Sequence, residues 1–338
     1  MSTTTAIVFE SFGKPEEVLQ VRADWPVAAP GEGQLRLRLL ASPVNPADIN
    51  LIEGTYGVKP ELPAVPGIEG VAEVIECGPG VEGFAWGDKV LLPPASGTWS
   101  AETLAAASAV TLLPRELQLT LDPLQAAMLS VNPPTAWLML HNYIDLQPGD
   151  WVIQNAANSG AGLATVAIAK AKGWRTVNLA RSQEALDRVQ AAGGDVNVLD
   201  DEHAPEAIRT ATGGAPIKLA LNAVGGDSAL RLAKCLGSDG KLVTYGAMGR
   251  QPLRLPNGLL IFKGLSFHGF WITKWRKSAP PETWTAIIAE LAHLLAAGRL
   301  HTPIAAVYPL EFITQAVAHA QQGQRGGKVL LRPVAKAE

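Results

Sequence analysis

From Ala6 to about Leu121 the chain alternates apolar and polar positions in short runs, LRLRLLA at 35–41, VAEVIECG at 71–78 and DKVLLP at 88–93, with prolines and glycines between them. A period of two broken by turn formers predicts a mostly β unit. From about Pro148 the pattern changes: the apolar run WVIQNA is followed by the helical GLATVAIAKAKG, then by RTVNLA and QEALDRVQAAG. Strands alternating with helices predict a parallel sheet of right-handed βαβ units. Further runs at Val196–Leu199, Ile217–Val224, Lys241–Tyr245 and Leu265–Trp271 bring the expected strands to six, as in a doubly wound dinucleotide-binding sheet. In PPETWTAIIAELAHLLAAG, Trp284, Ile287, Ile288, Leu291 and Leu295 recur at helical spacing, after two prolines and before Gly298. That spacing predicts a packing helix. Beyond Gly298, IAAVYPL and KVLLRP flank the helical FITQAVAHAQQG, and this tail is expected to fold back onto the first unit.

Composition narrows the classes. With 338 residues the expectation is two domains. Hydrophobic residues reach 47% and charged ones only 17%, which excludes a mainly disordered chain. A net charge of −3 favours no nucleic-acid partner. No apolar stretch approaches the ~20 residues of a membrane span, so no membrane partner is expected. Cys77 and Cys235 cannot form a disulfide framework or a thiolate-rich zinc site. His141, His203, His268, His293, His301 and His319 form no HExxH or HxxxH pattern, and no metal is expected. The opening MSTTTAIVFESFG has neither an export signal nor an Arg-rich targeting pattern, so a cytoplasmic location is expected.

The strongest local signal is the loop NAANSGAG, Asn155 to Gly162, between an apolar strand and a helix. A small-residue turn at a helix N-terminus sets backbone N–H groups and the helix dipole against a pyrophosphate. The GxGxxG positions read Ala157, Ser159 and Gly162, so an ordinary tight βα turn is the alternative. At the end of the second strand a site for NAD needs an acid, whereas RTVNLARSQ supplies Ala180, Arg181 and Ser182. A guanidinium and a hydroxyl suit a 2′-phosphate, and NADPH is the expected cofactor. The alternative is that Arg181 is a solvated charge opening the helix of Glu184 and Asp187.

In VNPADINLIEGTY a small helix is legible, with Asn45 as cap, Pro46 at its first position, Asp48 in its first turn and Gly54 as stop. Tyr56 follows on a loop. Asn132, ahead of Pro133 and Pro134, is a second cap.

The segments NPADINLIEGTY, PGIEGVAEVIECGPGV, GTWSAE, VNPPTAW, VIQNAANSGAG, YGAMGRQP and LLIFKGLSFHGFWITKW resemble the medium-chain dehydrogenase/reductase superfamily. Within it the chain closely resembles the NADPH-dependent 2-enoyl thioester reductases, over nearly its whole length. The resemblance implies an α/β fold. A GroES-like, mostly β catalytic domain would span 1–124, completed by 302–338, and a doubly wound parallel-sheet Rossmann domain binding NADPH would span 125–301. It implies that Tyr56 donates the proton. It also implies NADPH contacts from Asn132; from Asn158, Ser159, Gly160 and Ala161; from Arg181, Ser182 and Gln183; from Tyr245, Gly246, Ala247 and Met248; from Phe270, Trp271 and Ile272; and from Lys328.

The zinc alcohol dehydrogenases of the superfamily carry a ligand Cys near the first small helix and a GHE motif after it. Here Asn45 and the Ile68 of GIEG stand at those places. After Tyr56 the family often continues Pro-Ser-Lys-Pro, where this chain has Gly57, Val58, Lys59 and Pro60. Trp99, Trp137 and Trp275 are expected near the acceptor pocket. The expected activity is reduction of enoyl-CoA or enoyl carrier-protein thioesters, with a zinc-free quinone or enone reductase as runner-up and a non-catalytic cofactor-binding protein as third reading. A homodimer formed through edge strands near Leu265–Trp271 is expected from the same resemblance.

Overall fold

The computed structural model describes residues 2–94, 96–323 and 325–333. Strands β1 (Ser2–Val8) and β2 (Gln20–Val27) form an antiparallel pair. Five further strands follow, β3 (Gln34–Pro43), β4 (Val71–Cys77), β5 (Lys89–Leu91), β6 (Glu102–Ala106) and β7 (Thr111–Leu112). The alternating runs seen in the sequence are these strands: Leu35, Leu37 and Leu39 of β3 face inward and Arg36 and Arg38 outward. Six strands come next, β8 (Trp151–Gln154), β9 (Arg175–Ala180), β10 (Val196–Leu199), β11 (Ile217–Asn222), β12 (Leu236–Thr244) and β13 (Ser266–Gly269). The chain ends with β14 (Ile304–Tyr308) and β15 (Lys328–Leu331).

The described residues divide into two compact units, one drawn from 1–131, 280–298 and 302–338 and the other from 132–279 and 299–301. In the first unit, β15 joins β3 antiparallel, with Leu330 opposite Pro43 and Leu331 opposite Ser42, so the tail does fold back. The resulting sheet runs β14-β15-β3-β4-β5-β7, with β6 on β3. Its core gathers Ile7, Phe9, Ile52, Trp99, Val329 and Leu331. Trp99, expected near the acceptor pocket, is 0% exposed and is a core residue instead.

The second unit is the doubly wound sheet, in the order β10-β9-β8-β11-β12-β13 and parallel throughout. β8 and β9 are covered on both faces, and all their residues except Arg175 are buried, the polar Gln154, Thr176 and Asn178 among them. Each fully buried Val, Ile or Leu there stabilises the fold by roughly 1.5–3 kcal/mol. β12 begins at Leu236, five residues before the run that predicted it, because Gly237, Ser238 and Asp239 interrupt the apolar pattern.

One element sits elsewhere than expected. The helix Pro281–Ala296 belongs to the first unit rather than to 125–301. Its Trp284 is buried, and the ring Nε1 donates to Thr111 Oγ1 at 2.9 Å. Residues just after 124 do likewise: Gln125 Nε2 donates to Thr302 O, and Oε1 accepts from Thr302 N.

Candidate active site

Parallel strands bring the loops that follow them to one end of a sheet, and ligands of such sheets bind there. After β8 comes the loop 155–162 and then the helix Gly160–Lys172. Ser159 caps this helix, its Oγ accepting from Gly162 N at 3.1 Å. The loop closes so tightly that a Cβ on Gly162 would lie 2.4 Å from Ala157 O. Only glycine fits, which is the close helix–strand packing that the third glycine of a dinucleotide-binding loop provides. The helix is buried all round from Ala161 to Ala169, which seats its N-terminus firmly.

The loops after β11 and β12 are tied to this cradle. Asn155 Nδ2 donates to Asn222 Oδ1 at 2.9 Å and to Ser228 Oγ at 2.8 Å, while its Oδ1 accepts from Ala223 N at 2.7 Å. Tyr245 N donates to Asn222 O and Met248 N to Ala223 O. The Tyr245 hydroxyl is hydrogen-bonded to Ser159, and burial pushes the phenol up to about 12. Phe270 N donates to Thr244 O at 2.9 Å, which brings the segment after β13 alongside. Thus Asn158 to Ala161, Tyr245 to Met248 and Phe270 to Ile272 follow the carboxyl ends of β8, β12 and β13 of one sheet. Arg181, exposed, and Ser182, the cap of helix Gln183–Ala191, stand at the end of β9, the neighbour of β8. Gln183 spends its amide on Asp187 Oδ1 at 2.8 Å. Asn132 opens the helix Asn132–Asn142. Glycine cradle, capped helix and exposed Arg181 together fit a phosphorylated dinucleotide. A concavity of about 250 Å³ lined by His141, Tyr143 and Trp174 lies at the other, amino ends of β8 and β9.

Tyr56 and Lys328 belong to the first unit. The helix Pro46–Ile52 ends at Gly54, whose φ of +72° turns the chain, and Tyr56 N then donates to Asn50 O at 3.0 Å. The Tyr56 ring is half-buried against the core of that unit. Asn45 occupies the cap position of a capping box with Asp48, and its side chain also serves partners outside the helix. Nδ2 donates to Glu69 Oε1 at 2.7 Å and Oδ1 accepts from Lys328 Nζ. Asp48 serves the helix start, with Oδ2 accepting from Asn45 N and Oδ1 from Ile68 N.

Sequence reasoning missed Asp48 and Glu69 as members of this cluster. Both are 0% exposed. Burial pushes Asp48 up to about 7, and burial likewise raises Glu69. Lys328, 7% exposed, has its pKa lowered by burial and supported by Glu69 and Asp48. The available signal was the isolated Glu69 inside the apolar, glycine-flanked PGIEGVA, a pattern that places a charge in a core. Neither Asn45 nor Ile68 offers a thiolate or imidazole, and among the described residues no group of three or more His, Cys, Asp or Glu is placed to hold a metal ion. A zinc ion does not fit this donor set.

Comparison with known proteins agrees with this geometry. Residues 31–111 match the alcohol dehydrogenase GroES-like domain and residues 160–293 the zinc-binding dehydrogenase domain. The chain is 40% identical over 313 residues to the mitochondrial enoyl-[acyl-carrier-protein] reductase of Homo sapiens, covering 90% of this chain and 82% of that one. It superposes on the Etr1p complex with NADP and crotonyl-CoA at a TM-score of 0.88 and 28% identity, covering 98% of this chain and all of that one. A putative NADPH:quinone reductase of Bacillus thuringiensis superposes at a TM-score of 0.89 and 25% identity, over 98% and 99% of the two chains. With a GroES-like unit, a doubly wound sheet and this identity over nine-tenths of its length, the chain belongs to the medium-chain dehydrogenase/reductase superfamily and, within it, to the enoyl thioester reductases.

Proposed function

We infer that this protein reduces the α,β double bond of 2-enoyl thioesters with NADPH. The observation that carries the reading is the pairing of a glycine cradle after β8 with an exposed arginine, and no acid, at the tip of β9. The 2′-phosphate that distinguishes NADPH is an anion, so Arg181 attracts it where a carboxylate would repel it. Gly162 lets the start of the helix pack closely on the Ala157 backbone, which sets the helix N-terminus for the pyrophosphate, and Ser159 and Tyr245 keep the loop in place. Asn132, Phe270, Trp271, Ile272 and Lys328 complete the proposed contacts.

Bound NADPH supplies the hydride that adds to the β-carbon of the enoyl group. Addition leaves an enolate that needs a proton at the α-carbon, and Tyr56 is the proposed donor. The phenol O–H is a general acid that can pass its proton to the developing carbanion. The first unit, with Tyr56, is the proposed catalytic domain, and the second the cofactor domain.

The likeness to the putative quinone reductase supports a second reading, hydride transfer to a conjugated quinone. Substrate-dependent NADPH oxidation with crotonyl-CoA, a longer enoyl-CoA and a naphthoquinone separates the two. Turnover of the thioesters supports the first reading, and turnover of the quinone alone replaces it. No helix among the described residues is long and apolar enough to cross a membrane. A cytoplasmic location is part of the same proposal, to be tested by cell fractionation. So is a homodimer. β13 ends its sheet, and Ile261 and Phe262 on the helix just before it are 70% and 85% exposed, surface that a second copy would cover. Sedimentation of a Phe262→Asp variant as a monomer would support it.

A further inference from the structure

Glu69 has no part in the reaction just described, yet its carboxylate joins three segments of the first unit. Oε1 accepts from Asn45 Nδ2 at 2.7 Å, Oε2 accepts from Ser130 Oγ at 3.3 Å, and Asn45 passes the connection on to Lys328 Nζ. Each segment leads to a residue of the proposed site. Asn45 opens the helix whose exit carries Tyr56, Ser130 lies two residues before Asn132, and Lys328 is itself one of the proposed NADPH contacts. Burying a carboxylate and an ammonium together carries a desolvation penalty, and apolar side chains of similar volume often give equal or greater stability. A buried Glu–Asn–Lys chain is therefore poorly explained by stability alone.

We propose that Glu69 is a positioning residue, which through Asn45 keeps Lys328 charged and in register for its contact with NADPH, and through Ser130 fixes the approach to Asn132. This rests on the reading above that Lys328 contacts NADPH. The charged groups that face Lys328 are Glu69, Asp48 and Arg325. Glu69 and Asp48 hold its proton on, while burial and Arg325 push it off. Removing the Glu69 charge must then lower the pH at which Lys328 becomes neutral.

The test is NADPH binding, followed by fluorescence titration across pH, for the wild-type chain and three variants. Glu69→Gln is expected to weaken binding about tenfold, the worth of one lost charge-assisted contact. The alkaline limit of binding should also move down by about one pH unit, the usual effect of removing a near opposite charge. Adding Asn45→Asp to Glu69→Gln returns a carboxylate to Lys328 and is expected to restore that limit. Ser130→Ala should weaken binding a few-fold and leave the limit in place. Wild-type affinity and an unmoved limit in Glu69→Gln overturn the proposal, and so does a variant that melts earlier with binding and limit unchanged. If Glu69→Gln fails to fold, Ser130→Ala decides: weaker binding upholds the proposal and wild-type binding overturns it. A wild-type chain that does not bind NADPH overturns both this inference and the functional reading, a result distinct from wild-type-like binding by the variants alone.

Discussion

Replacing Gly162 by alanine adds a single methyl group to the tightest point of the glycine cradle. The new Cβ would lie 2.4 Å from Ala157 O, 2.6 Å from Ala157 C and 2.7 Å from Ala157 Cα. All three are backbone atoms, so no side chain can swing aside. Relief to ordinary van der Waals distance requires the loop to back away by about 1 Å. Ala157 cannot do so freely, because it is 0% exposed and its N donates to Leu179 O of β9 at 3.1 Å. Nor can Gly162 retreat without stretching the bond from its N to Ser159 Oγ. A displacement of about 1 Å in a positioning element costs on the order of a hundredfold, or about 2.7 kcal/mol. Gly323 is the control, since a Cβ there meets nothing within 4 Å. Gly162→Ala should therefore bind NADPH about a hundredfold more weakly, while Gly323→Ala matches the wild type. Wild-type NADPH affinity in a folded Gly162→Ala protein would refute the assignment of this loop as the pyrophosphate cradle.

Three further outcomes are expected. Arg181→Ala should lose about 10- to 150-fold in NADPH affinity, equivalent to 1.5–3 kcal/mol for a hydrogen bond to a charged group, and NADH affinity should stay as it was. Equal losses for both cofactors would remove Arg181 from the 2′-phosphate. Tyr56→Phe should lower turnover about 10²- to 10⁴-fold at unchanged NADPH affinity, and full turnover would clear Tyr56 of proton donation. The third concerns pH. Asp48 titrates near about 7 when folded, against the ordinary carboxylate value of 3.8 when unfolded. Between the two the folded state binds the extra proton, so this group's contribution to stability is present at low pH and falls as pH rises towards about 7. The melting temperature of Asp48→Asn should accordingly vary less with pH over that window than the wild type's, and parallel curves would contradict the raised value.

Some of this was legible in the chain and some was not, for physical reasons. The strands β8 to β13 were legible as short runs rich in Val, Ile and Leu alternating with helical segments, and the helix after β8 follows from the small residues that start it. The turn at Gly54 was equally local, since a φ of +72° selects glycine. What failed was non-local. The spacing of Trp284 and Ile287 foretold a packing helix, but not that Thr111, 173 positions away, would receive it. Asn45 was legible as a helix cap from its neighbours, but not that Glu69 and Lys328, 24 and 283 positions distant, also hold its side chain. Glu69 escaped for the same reason: its role exists only once Asn45, Ser130 and Lys328 have been folded together.

The central claim is that hydride reaches the β-carbon of an enoyl thioester and that Tyr56 protonates the α-carbon. It is tested most directly by reducing crotonyl-CoA with NADPH dideuterated at C4 in H2O, and with unlabelled NADPH in D2O, and locating the deuterium in the product by NMR. The expected result is deuterium at the β-carbon in the first case and at the α-carbon in the second, delivered to one face by the wild type and to both faces by Tyr56→Phe. Absence of label from the β-carbon, or the same single-face protonation without the phenol, would contradict it.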